Sequence, residues 1–127
     1  GPEHPTVSTA LNNLATLYHA QGKYEEAGPM FKRALNINEK TLGPEHPTVA
    51  QALNNLAELY KATGKYEEAE PMFKRALDIL EEKLPADHPS LATTYKNYAA
   101  LLRKIGRDEE ASALEEKAKR IRDSRGV

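Results

Sequence analysis

Three histidines, His4, His46 and His88, recur at a fixed interval, each followed by a proline, and imidazoles brought together could ligate a metal ion. Their spacing argues against it. One repeat apart means separate helix pairs, roughly 10 Å or more between equivalent points, too far for one ion. They read as helix caps or loop packing elements. The acidic pairs Glu25–Glu26, Glu67–Glu68 and Glu109–Glu110 fall in the first turns of predicted helices, where the helix dipole favours negative charge, so they read as dipole complements instead of acid/base dyads. The glycines are single and do not form a phosphate-cradling loop. There is no cysteine, which removes thiolate nucleophiles, disulfides and zinc–cysteine sites together. No catalytic residue, metal or cofactor is assigned, and the chain is expected not to be an enzyme. What remains is a ladder of amides, Asn13, Asn55 and Asn97, in the same phase as the histidines.

The ladder exists because the chain is one 42-residue text written three times. Gly1–Leu42 and Gly43–Leu84 differ at only ten of 42 positions, and the stretch from Pro85 keeps 12 of the positions of the middle copy. A period in this range signals a solenoid of stacked supersecondary units. The expected units are residues 1–42, 43–84 and 85–127.

Within the middle copy, Val49, Leu53, Leu56, Ala57, Leu59, Tyr60 and Thr63 recur at three- and four-residue spacing, which predicts an amphipathic helix A over Pro47–Thr63. Pro47 suits the first helical position, and Gly64 can stop the helix by taking a left-handed conformation. Helix B is predicted from Tyr66 to about Lys83, burying Ala69, Met72, Phe73, Ala76, Leu77 and Leu80. The connections are short, so consecutive helices are antiparallel neighbours. Pro29 and Pro71 sit inside helix B and are expected to bend it, whereas Ala113 occupies that place in the third copy. Helix B of the third copy replaces Phe73, Leu77 and Leu80 by Glu115, Lys119 and Arg122, leaving a narrow stripe of Ala111, Leu114, Ala118 and Ile121. The last helix is therefore expected to act as a polar cap ending the array. The first copy has no such cap, so its outer face is a candidate dimer contact. The chain opens in repeat phase at Gly1, as a cut from a longer array or an engineered chain would.

The string Leu53-x-x-Leu56-Ala57-x-x-Tyr60, with Gly64, Tyr66, Ala69, Phe73 and Ala76, resembles the tetratricopeptide repeat (TPR) pattern, with Leu53 where a tryptophan usually stands. The 42-residue period, the Glu/Asp-His-Pro opening and the Leu-Asn-Asn-Leu-Ala string look like the kinesin light chain type of that repeat. The resemblance implies an all-α fold: a right-handed superhelical α-solenoid of three helix-turn-helix repeats, six helices in all. It also implies a binding scaffold whose A helices line a concave groove.

Residues of helix A off the apolar face would then meet a ligand. In the middle copy these are Gln51, Asn54, Asn55, Glu58 and Lys61; in the first Asn12, Asn13 and His19; in the third Lys96, Asn97, Arg103 and Lys104. An amide offers both donors and an acceptor, so the asparagine ladder could grip the backbone of an extended peptide, as the equivalent asparagine does in the peptide-binding proteins it resembles. The alternative is that these amides tie adjacent A helices to one another. The stripe holds four bases, Lys61, Lys96, Arg103 and Lys104, against one acid, Glu58, which favours an acidic or C-terminal-carboxylate peptide.

Net charge is −1, so no overall field draws the chain to nucleic acid or membrane. The basic tail Lys117, Lys119, Arg120, Arg122, Arg125 is interleaved with acids and lacks stacking aromatics, so no nucleic acid is expected. The absence of cysteine fits a reducing compartment, and a cytoplasmic location is the default expectation. The competing reading is a structural, self-assembling or designed scaffold with no specific natural ligand, for which the groove is incidental.

Overall fold

A computed structural model describes residues 4–125; the ends of the first and third expected units lie outside them. Six helices run in sequence: α1 (Pro5–Ala20), α2 (Tyr24–Leu42), α3 (Pro47–Ala62), α4 (Tyr66–Lys83), α5 (Pro89–Lys104) and α6 (Asp108–Ser124). Each A helix starts the same way. Proline at the first turn has no N–H to leave unsatisfied, and the preceding histidine is extended (φ −78°, ψ 140° at His46). Its Nδ1 accepts a hydrogen bond from the amide two residues on: Thr6 N at 3.0 Å, Thr48 N at 3.0 Å and Ser90 N at 3.1 Å. The periodic histidines are caps. Each A helix also stops the same way, at a glycine with positive φ, +79° at Gly64. Helix α3 ends one residue earlier than the spacing predicts. Thr63 is exposed and not on the apolar face, because it caps the helix and turns its hydroxyl back to Leu59 O at 3.1 Å.

The helices α2 and α4 run uninterrupted past Pro29 and Pro71, both of which are exposed. The core follows the predicted stripes, with Leu53, Leu56, Ala57, Ala69, Phe73, Ala76, Leu77 and Leu80 all buried. It is also wider than predicted. Ala50, Ala52 and Ile79 are buried as well, because the middle hairpin is covered by a neighbour on each side.

Consecutive helices pack in antiparallel pairs: α1 on α2, α3 on α4 and α5 on α6. Each A helix then packs on the preceding B helix, α3 on α2 and α5 on α4. The backbones of the A helices also come close to one another, α1 to α3 and α3 to α5, whereas those of α2, α4 and α6 stay farther apart, α2 and α4 meeting through long side chains such as Arg75 Nη2 on Glu39 Oε2 at 2.7 Å. Helices that converge on one side and diverge on the other must curve, so the A helices line the inner wall. The result is a right-handed superhelical α-solenoid with a polar last helix. No helix among the described residues is long and apolar enough to cross a membrane.

The two stacking interfaces use different chemistry. Between the first and second hairpins, Ala27 and Phe31 meet Leu56 and Leu59, and Gly28 is close enough that a Cβ there would stand 3.3 Å from Leu59 Cδ2. Between the second and third, Phe73 stacks on Tyr98 with ring centroids 5.6 Å apart, and Glu70 accepts hydrogen bonds from Tyr98 Oη (2.6 Å) and Arg107 Nη1 (2.8 Å). Within the first hairpin, Ser8 Oγ donates to Asn38 Oδ1 at 2.6 Å, a polar pair that is buried where the middle copy has Ala50 and Leu80.

Candidate functional site

The inner wall is built by α1, α3 and α5, whose common register places one asparagine of the ladder on each helix. Asn13 is exposed, and Asn55 and Asn97 are half-buried. None of the three hydrogen-bonds to another described residue, so their amides do not tie neighbouring A helices. That task falls to the adjacent position. Asn54 Nδ2 donates to Thr94 Oγ1 at 2.7 Å, joining α3 to α5, while Thr94 itself donates to Ser90 O at 3.0 Å. In the first hairpin Asn12 cannot copy this bond, since the residue matching Thr94 is Ala52. The carbonyl oxygens Asn12 Oδ1 and Asn54 Oδ1 are both buried without a donor from the described residues. They are acceptors repeated at one register on adjacent inner helices.

Several of the predicted groove residues have other commitments. Lys61 Nζ lies 3.2 Å from Glu58 Oε1, so this base and this acid largely cancel. Arg103 turns across to α6, where its guanidinium grips Glu115 from two nitrogens, with Nε–Oε2 at 2.9 Å, and reaches Ser112 Oγ at 3.0 Å. The bonds to Glu115, with Asp108 nearby, raise the Arg103 pKa against a smaller opposing effect of burial, and lower that of Glu115. His19 packs edge-on against Tyr24 and Phe31, with ring centroids 5.3 and 6.5 Å apart. The basic excess on the wall is thus carried by Lys96 and Lys104, both exposed and without an ion pair among the described residues.

Gln51, Asn54, Thr93, Thr94 and Ser90 line a small cleft between α3 and α5, with Leu80 at its base and a volume of about 170 Å³. Thr94 is absent from the sequence-predicted set. Its signal was a hydroxyl at a place where the other copies have alanine, Ala10 and Ala52, and its role depends on a partner forty residues away. A larger hollow of about 410 Å³ opens between α5 and α6, beside Lys96, Lys119, Arg122 and Arg125. In the sequence, Lys119 and Arg122 read as part of a polar cap and, with Arg125, of a basic tail.

Similarity to known proteins agrees with this geometry. The family profile described as tetratricopeptide repeat matches residues 6–82 and 62–124. Among solved structures, BtubC (BKLC) from P. vanneervenii superposes with a TM-score of 0.90 at 30% identity, covering 98% of this chain and 50% of that one. A putative kinesin light chain from Podosopora anserina with nearly identical TPR-like repeats gives a TM-score of 0.81 at 28% identity, over 99% of this chain and 60% of that one. A point-substituted form of that same protein gives 0.82 at 29%, over 98% and 58%. The chain thus spans half to three-fifths of the length of these structures. No curated protein sequence matches.

Proposed function

Because the chain belongs to the tetratricopeptide repeat family, whose repeats generally mediate protein–protein interaction, we propose that it is a non-catalytic binding module. Its inner wall takes an extended, acidic peptide segment. The amide ladder carries this reading: Asn13, Asn55 and Asn97 stand at one register on successive inner helices, solvent-accessible and without internal hydrogen bonds. A side-chain amide can donate to a peptide carbonyl and accept from a peptide N–H whatever the peptide's side chains are, so the ladder suits main-chain recognition. Lys96 and Lys104 supply the charge preference, contributing only about 0.5 kcal/mol per exposed pair, so affinity comes chiefly from the amides. A chain without cysteine suits a reducing compartment such as the cytosol.

The test is fluorescence anisotropy with labelled extended acidic peptides. Asn55→Ala is expected to weaken binding several-fold, and Lys104→Glu to weaken acidic peptides more than neutral ones. Unchanged affinity in both variants would sink the reading.

A second reading, self-association through the first hairpin, is favoured by one contrast. Leu14 and Leu17 are 40% and 52% exposed, whereas the matching Leu56 and Leu59 are 1% and 4% exposed beneath α2. Under it, sedimentation mass rises with concentration and Leu17→Glu abolishes the rise; a mass independent of concentration rules it out.

A further inference from the structure

The hollow between α5 and α6 has an internal precedent. In the middle hairpin the matching surface, formed by α3 and α4, is covered by a helix, α5. Tyr98 stacks on Phe73, Asn54 holds Thr94, and Leu77 and Leu80 join one core with Leu91 and Tyr95. One repeat later, Ala92, Ala118 and Ile121 keep an apolar floor while its neutral borders turn basic. Lys119 stands for Leu77, Arg122 for Leu80, Lys96 for Asn54 and Arg125 for Lys83. The acid that replaces Phe73, Glu115, is already gripped by Arg103. The shape that accepts a helix is retained, and its rim has become a set of cations.

A rim serving only to keep the end of the stack soluble would work with charges of either sign. Here three neutral bordering residues, Asn54, Leu77 and Leu80, are replaced by Lys96, Lys119 and Arg122, Lys83 stays basic as Arg125, and Thr93 for Gln51 is uncharged. Arg125 lies 4.0 Å from Asp87 and Arg122 Nε 3.6 Å from Asp123, contacts between exposed groups, while Lys96 and Lys119 have no ion pair among the described residues. We infer that this cleft is a docking site for an amphipathic helix of a partner protein, with small residues against Ala92, Ala118 and Ile121 and carboxylates flanking them to meet Lys119, Arg122 and Arg125. The A helices of a second copy, the kind of helix that fills the matching place in the middle hairpin, do not meet the requirement. Helices α1 and α5 contain no Asp or Glu, and α3 contains only Glu58, which is paired with Lys61. The site takes a folded helix against α5 and α6, so it is separate from the extended peptide proposed for the wall, although Lys96 borders both.

The probe is a blocked 18-residue alanine-rich helix with glutamates three and four residues apart, compared with the same peptide carrying glutamine, by fluorescence anisotropy on the full chain. The glutamate helix is expected to bind at least about tenfold more tightly than the glutamine one. Lys119→Glu with Arg122→Glu, both at exposed positions, should remove that preference without lowering the thermal midpoint, and the milder Lys119→Gln with Arg122→Gln should halve the affinity or reduce it further. Lys104→Glu, on the wall, should leave it unchanged. Equal binding of the two helices, or loss in the Lys104 variant but not in the Lys119 and Arg122 variants, overturns the proposal while leaving the wall reading untouched. A complex mass showing that added helix drives two copies together would instead assign the cleft to self-association and would equally overturn it.

Discussion

A histidine cap works only through the lone pair on Nδ1, which must accept from the backbone amide two residues along. Replacing His46 by alanine leaves that amide without its partner and is expected to cost about 1 kcal/mol in urea denaturation, whereas asparagine, itself a good cap, should recover most of the loss. Glu70 is a residue whose charge is tied to the fold. Burial raises its pKa, but hydrogen bonds from Tyr98 and Arg107 and the charge of Arg107 outweigh burial, so the pKa falls below 4.5. A carboxylate with a depressed folded pKa stabilises the native state at neutral pH and ceases to as pH falls through that value. Glu70→Gln is therefore expected to cost about 1–2 kcal/mol at pH 7 and distinctly less at pH 3, measured by urea melts at both. Burial, reinforced by the same contact, pushes the Tyr98 pKa well above its ordinary 10, keeping the hydroxyl a donor through the alkaline range. At this scale the caps were legible because histidine–proline is a local signature. The commitments of Asn54, His19 and Arg103 were not, since their partners Thr94, Phe31 and Glu115 come from other helices.

Helices were the most legible level, because spacing within one segment decides them and no distant partner is needed. The end of α3 moved by one residue, at Thr63, where a cap hydroxyl and an apolar-face residue look alike in sequence. The buried set was underestimated for a different reason. A lone hairpin has one apolar stripe per helix, but a stacked hairpin has two, and residues such as Ala52 and Ile79 look marginal until the neighbour arrives. Leu56 belongs to this second stripe. It is 1% exposed and packs with Ala27, Phe31 and Leu59. Truncating it to alanine should cost about 2–5 kcal/mol and loosen the first hairpin selectively, visible as faster amide hydrogen exchange in α1 and α2 than in α5 and α6.

Across the whole molecule the two ends are chemically unlike: α1 presents Leu14 and Leu17, while α6 presents Glu115, Lys119 and Arg122. Apolar leucines gain little against the charged rim of α6, which disfavours copies stacking head to tail into open filaments. This asymmetry was legible from the three copies laid side by side, because it lies in residue types. The direction of curvature came only through the family resemblance, since residue types alone do not say which helices converge.

Two hairpins alike at all but ten of 42 positions raise the hazard of mistaken pairing, in which α2 folds onto α3, or onto the α3 of another molecule, as though it were α4. The buried pair of Ser8 and Asn38 discriminates against this: in the wrong hairpin Asn38 would face Ala50 and lose its hydroxyl partner in a dry interior. Converting both to the residues of the middle copy, Ser8→Ala with Asn38→Leu, should give a chain that melts no lower than the original. Refolded at high concentration, however, it should yield exchanged dimers resolvable by size-exclusion chromatography. A single polar contact thereby acts as a proofreading key, telling apart two neighbouring segments that are otherwise nearly interchangeable.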